Sequence, residues 1–124
     1  MLSSSVENKE DNSCIKLSKK EIRRRRSEFN AERSRILKPL EQRLYRIESD
    51  IERHEKTLAE LHDAMQTATQ AGDGSRITEL SKSVHRCKAD IERLYDELVK
   101  FSSLFEAQKT TFEEKLERLE KVLL

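Results

Sequence analysis

Tryptophan is absent, proline occurs once and glycine twice in 124 residues, and only 5% of the chain is aromatic. A chain so poor in large apolar side chains cannot wrap a wide core, and one so poor in helix breakers favours long helices. The longest unbroken apolar runs are only a few residues, far short of the ~20 that a membrane-spanning helix needs. The opening "MLSSSVENKEDNSC" lacks the charged start and apolar block of a secretory signal. Its acids Glu7, Glu10 and Asp11 argue against an organellar transit peptide, so a soluble, cytoplasmic protein with no membrane partner is expected. Cys14 in the polar tail and Cys87 in a periodic segment are too few and too unlike in setting for a disulfide framework, and both read as free thiols.

Catalytic signatures are missing as well. The chain has no glycine-rich phosphate loop, nucleophile elbow or dinucleotide fingerprint, and a slender two-helix hairpin offers little concavity in which to perturb a pKa. A non-enzymatic chain without a cofactor is expected. His54, His62 and His85 lack the i, i+4 spacing that sets two imidazoles on one helix face, so no metal site is expected either.

What is present is charge and periodicity. Charged residues make up 40% of the chain and nearly cancel, leaving a net +1. Apolar residues recur at steps of four and three through Leu40, Leu44, Ile47, Ile51, Leu58, Leu61 and Met65, with His54 filling one seam position. A second series runs through Ile77, Leu80, Val84, Cys87, Ile91, Leu94, Leu98, Phe101 and Phe105 without a break. Each is a heptad seam, the mark of a helix packing along one stripe against another. Between them "TATQAGDGSR" holds both glycines, with Asp73 and Ser75 as capping oxygens, which predicts a turn near residues 69–76. Folding back there pairs Met65 with Leu80, Leu61 with Val84, Leu58 with Cys87, Ile51 with Leu94 and Leu44 with Phe101.

Three seam features have competing readings. His54, opposite Ile91, reads as a polar residue that sets register. Cys87 reads as a small hydrophobe. Phe101, Phe105 and Phe112 could suggest a base-stacking platform, but their seam positions aim them at the partner arm, so they read as core.

The frame changes at Pro39, which lacks the N–H for its helix bond and predicts a kink or joint. Upstream, Ile22, Phe29 and Ile36 supply only one apolar residue per heptad, and the returning arm carries Gln108 and Lys115 at seam positions. Residues 1–18 have no period and read as a disordered tail or linker, leaving residues 19–124 as the helical domain. The expected fold is therefore all-α: a two-helix antiparallel coiled-coil hairpin with a kinked basic N-terminal helical segment, monomeric as an isolated domain.

That segment carries the charge anomaly. Lys19, Lys20, Arg23, Arg24, Arg25, Arg26, Arg33, Arg35 and Lys38 face only Glu21, Glu28 and Glu32, a local net of +6. At about 100° per residue the four consecutive arginines surround the helix axis, so they cannot all serve one partner. The register brings Arg26 near Leu119 and Glu120 and Phe29 near Leu116, with Glu113, Glu117 and Glu120 as candidate mates for inward arginines. The rest of the positive charge is free for phosphates, so the nine bases are candidate nucleic-acid contacts.

The order of these parts, "KLSKKE" opening a basic helix, "KPLEQRLYRIESDIERHEKTLAEL" after the proline, then "ITELSKSVHRCKADIERLYDELVKF" returning, resembles the C-terminal coiled-coil domain of the ABC-F family of ATP-binding-cassette proteins, over roughly residues 15 to 124. The resemblance implies a hairpin attached to tandem cytosolic ATPase domains of a longer polypeptide acting on ribosomes and translation. In some members this terminal domain binds nucleic acid. The family's ATP-binding motifs are absent here, so hydrolysis would belong to that other part. The expected function is thus a non-catalytic hairpin binding DNA or ribosomal RNA. The alternative is a structural module for protein–protein pairing or self-association.

Overall fold

The computed structural model describes residues 17–123, which form two helices packed against each other: α1, Lys19–Ala71 of 53 residues, and α2, Gly74–Leu123 of 50 residues. The fold is the expected all-α hairpin. Nearly all of the expected tail, residues 1–16 with Cys14, lies outside the described residues.

Local sequence sets each helix end. The Ser18 Oγ accepts the Glu21 N–H at 3.1 Å, and the Ser18 carbonyl accepts the Ile22 N–H at 3.0 Å, so Ser18 is the N-cap of α1. Ser18 and Glu21 have the spacing of a capping box, while half-buried Leu17 and Ile22 hold the positions of a hydrophobic staple. At the other end Gly72 adopts φ +69°, its N–H bonds the Thr69 carbonyl at 3.1 Å, and the Asp73 N–H reaches the Ala68 carbonyl at 3.0 Å. This is a Schellman termination, which favours glycine because a Cβ crowds the following carbonyl in the left-handed region. Asp73 then starts α2 at once, its Oδ1 accepting the Arg76 N–H at 3.1 Å. The reversal is thus tighter than the segment 69–76 read from composition, because one aspartate ends one helix and caps the next.

The described residues up to Pro39 and those from Glu106 onward form one compact unit, and Leu40–Phe105 forms another. The division falls at Pro39, and α1 continues helically through that residue. In the Leu40–Phe105 unit Ile47, Ile51 and Leu94 form a buried cluster with Leu98 and Phe101 packed against it, as the register requires. Ala68, Leu80 and Cys87 are buried too. Ala68 extends the α1 seam one step beyond Met65, into the stretch that composition marked as turn.

His54 is half-buried in the seam, with Nδ1–H donating to the Asp50 carbonyl at 2.8 Å and Nε2 lying 3.9 Å from Asp90 Oδ2. Cys87 donates its thiol to the His54 carbonyl at 3.2 Å. Among the described residues no buried side-chain nitrogen or oxygen lacks a hydrogen-bond partner.

In the other unit Phe112 and Leu37 are buried, and the Phe29 ring meets Phe112 edge-on at 6.0 Å between centroids. The aromatic partner of Phe29 is thus Phe112, one turn before the Leu116 level, and Leu116 is 40% exposed. Leu37 is buried more deeply than its neighbour Ile36, because the seam shifts frame just before Pro39 and these two residues straddle it.

The two glycines should respond in opposite ways to alanine. Added Cβ atoms meet nothing within 4 Å at either, but only Gly72 has positive φ. Gly72→Ala should lower stability by about 1 kcal/mol, whereas Gly74→Ala, at the first position of α2, should raise it by up to ~1 kcal/mol. Paired thermal or urea melts measure both.

Candidate nucleic-acid interface

The nine sequence-selected bases all lie on the first half of α1, and the structure divides them by what they touch. Arg24 pairs with Glu21 and Glu28 of its own helix, three residues before it and four after. Its hydrogen bond to Glu21 and the charges of both carboxylates raise the guanidinium pKa above its usual value. Arg25 Nε lies 3.7 Å from the same Glu21. Arg26 is the arginine that reaches across, with Nη2 at 3.0 Å from Glu120 Oε2, the level the register assigned it. Glu117, another candidate mate, instead faces Lys121 at 3.9 Å in its own helix.

The remaining six, Lys19, Lys20, Arg23, Arg33, Arg35 and Lys38, are exposed and enter no ion pair among the described residues. Four of them share a sector. Lys20 and Lys38 stand five helical turns apart on one line, about 27 Å along the axis at 1.5 Å per residue. Arg23 and Arg35 lie about 60° to either side of that line, and Phe29 points the opposite way. Between them the sector carries Ser27, Ala31 and Ser34, whose short side chains leave the helix surface approachable, and Arg24, whose charge is met by Glu21 and Glu28. Three of these four cations stand outside the consecutive arginine run, which is why the strip does not show in the run itself.

A hollow of about 400 Å³ in the same unit is lined by Arg24, Arg25, Glu28, Phe29, Glu32, Lys115 and Leu119. It mixes both charge signs and lies on the packed side, so it is a less suitable seat for phosphates than the outer sector. Aromatic stacking has little to offer here: Phe112 is buried and Phe29 half-buried. Lys115 covers the Phe112 face at 5.1 Å. Among the described residues no group of three or more His, Cys, Asp or Glu is placed to hold a metal ion, and no described helix is long and apolar enough to cross a membrane. Comparison with protein-family models, with curated proteins and with solved structures gives no match to this chain.

The Arg26–Glu120 pair tests how much of the basic run serves the fold. Its side chains are 48% and 37% exposed, a setting in which ion pairs contribute about 0–1 kcal/mol. A double-mutant cycle with Arg26→Gln and Glu120→Gln should return a coupling of at most ~1 kcal/mol. A larger value would make this arginine mainly a structural clasp.

Proposed function

We propose that this chain is a non-catalytic nucleic-acid-binding hairpin whose basic α1 segment grips phosphates without reading bases. The observation that carries the reading is the charge balance around α1: six exposed cations have no carboxylate mate among the described residues, and Lys20, Arg23, Arg35 and Lys38 share one outward sector. Guanidinium forks suit phosphate oxygens, and a phosphate row draws such a surface by releasing its own counterions. Base readout needs hydrogen-bonding or stacking groups aimed into a groove or at unpaired bases. The sector has serines and an alanine between its cations, which favours recognition of backbone over sequence.

The sequence words that resemble the ABC-F terminal domain support a wider setting. In that setting the hairpin is an arm on tandem ATPase domains of a longer cytoplasmic polypeptide, engaged with ribosomal RNA or DNA during translation. ATP hydrolysis would be the work of those domains, and this arm would supply adhesion to the nucleic acid.

A salt titration tests the reading. The chain should bind both duplex DNA and structured RNA, and its affinity should fall steeply with salt, with log–log slope on DNA of about −0.9 per phosphate contacted, or near −3.6 for four. The triple variant Arg23→Gln, Arg35→Gln, Lys38→Gln should flatten that slope by nearly 3 while preserving helix content, since Gln is a good helix former. Arg24→Gln, whose charge is already met by Glu21 and Glu28, should flatten it less. Unchanged binding in the triple variant would remove the sector from the interface and leave the protein-pairing alternative as the better reading.

A further inference from the structure

The Leu40–Phe105 unit has two unlike flanks. With the seam at heptad positions a and d, an antiparallel pair sets e beside e and g beside g. The contacts follow this rule: Arg43 meets Glu97 across the g flank at 3.5 Å, and the Tyr95 hydroxyl donates to Glu55 Oε2 across the e flank at 3.2 Å. Along the g flank and its neighbouring c positions the signs alternate, and carboxylates there have mates, as in Arg43–Glu97, Arg53–Asp50 and Arg93–Asp90.

The e flank with its neighbouring b positions is different. It gathers Glu41, Glu48, Glu52, Glu55 and Glu92 against one fixed cation, Lys88. None of these carboxylates enters an ion pair among the described residues.

The same flank holds the unit's most exposed large apolar side chains, Tyr45 at 74%, Val99 at 66% and Tyr95 at 44%. Tyr45 and Val99 stand at the level where the register pairs Leu44 with Phe101. Elsewhere the chain covers open aromatic faces with its own cations, Arg43 over Phe101 at 4.7 Å and Lys115 over Phe112 at 5.1 Å. No described cation covers Tyr45 or Tyr95. A hollow of about 510 Å³ opens beside Tyr45, lined by Glu41, Gln42 and Arg46 as well. Carboxylates without a cationic mate, one of them already accepting the Tyr95 hydroxyl, interleaved with uncovered tyrosine faces call for a ligand that brings both positive charge and aliphatic length. Lysine and arginine side chains have both: the head meets a carboxylate or lies over a ring, and the stem covers the apolar edge.

We propose that this flank is a docking surface for a lysine- and arginine-rich polypeptide segment of another protein. The five carboxylates attract and orient it, and Tyr45, Tyr95 and Val99 hold it by contact with its aliphatic stems. Nucleic acid is a poor occupant, because its phosphates would meet unmated carboxylates. The surface is independent of the phosphate-gripping sector, which belongs to the other compact unit.

The test uses the full chain and a synthetic fluorescent peptide of alternating lysine, arginine and alanine, read by anisotropy at low and physiological salt. The wild type should bind it, more weakly as salt rises. The variant Glu48→Gln, Glu52→Gln, Glu55→Gln should bind about tenfold more weakly, and Tyr45→Ala should weaken binding at unchanged charge. A control that removes equal charge elsewhere, Glu60→Gln, Asp63→Asn, Glu79→Gln, should bind as the wild type does. Circular dichroism verifies that each variant keeps its helices, and Tyr45→Ala carries the test if the triple variant loses them. No binding by the wild type, or equal loss in the control and the flank variant, overturns the proposal. Sedimentation showing self-association that the flank variant abolishes also overturns it, since the occupant would then be a second copy.

Discussion

A seam only one or two side chains wide holds these helices together, and that narrowness governs the chain's other properties. Among the described residues eight apolar side chains are buried, and none of the eight is less than 3% exposed. Each contributes roughly 1.5–3 kcal/mol if fully covered, against the entropy of ordering two helices of about fifty residues. A core this thin has no interior for charge, and no polar or charged residue is buried among the described ones. All the electrostatics therefore stays in or near water, where ion pairs contribute little to stability and remain available to partners. Among the described residues the two groups with clearly displaced pKa values, Arg24 and Tyr95, owe their shifts first to a neighbouring glutamate and lie on the surface.

This separation of roles explains why the fold was more legible than the site. Heptad spacing records burial directly, so the seam partners around Ile51 and Leu94, the glycine-marked reversal and the level of Arg26 with Glu120 could all be read from residue order. The misses have physical causes. Ala68 escaped notice because a small residue in a polar stretch carries no apolar signal. The edge-on contact of Phe29 with Phe112 adds about 0.5–1.5 kcal/mol beyond area, and no apolar periodicity announces it. Arg24 finds its mates Glu21 and Glu28 three and four residues away on its own helix, the spacing at which helix neighbours meet. The outward sector and the acidic flank needed the angular positions of residues, which a count of charge along the chain averages away.

His54 shows how the seam tolerates a polar member. The ring keeps its Nδ1–H on the Asp50 carbonyl one turn back, so the seam accepts an imidazole without leaving a donor unmet. The carbonyl of His54 in turn takes the Cys87 thiol from the facing helix. These bonds tie side chains to backbone at one level of the hairpin, and a shift by one residue would break the interhelical one. The interhelical bond uses the backbone carbonyl of residue 54, so the link at this level comes from the Cys87 thiol, while the imidazole is satisfied within its own helix.

The reversal at Gly72 and Asp73 has a consequence for how such a chain can change in length. Because the turn is so short, the residues facing each other are fixed by counting outward from it, and every insertion in one arm displaces all later pairings by the same amount. One extra residue in α1 would rotate the remaining seam by about 100° away from its partner. Seven extra residues in α1 alone would restore the angle and still shift the levels, bringing Arg26 opposite a different turn of α2. Lengthening that preserves both angle and level must add a heptad to each arm together. Among relatives of this chain, hairpins should therefore differ in length by matched pairs of heptads, with unmatched changes confined to the stretches before Ser18 and after the last turn of α2.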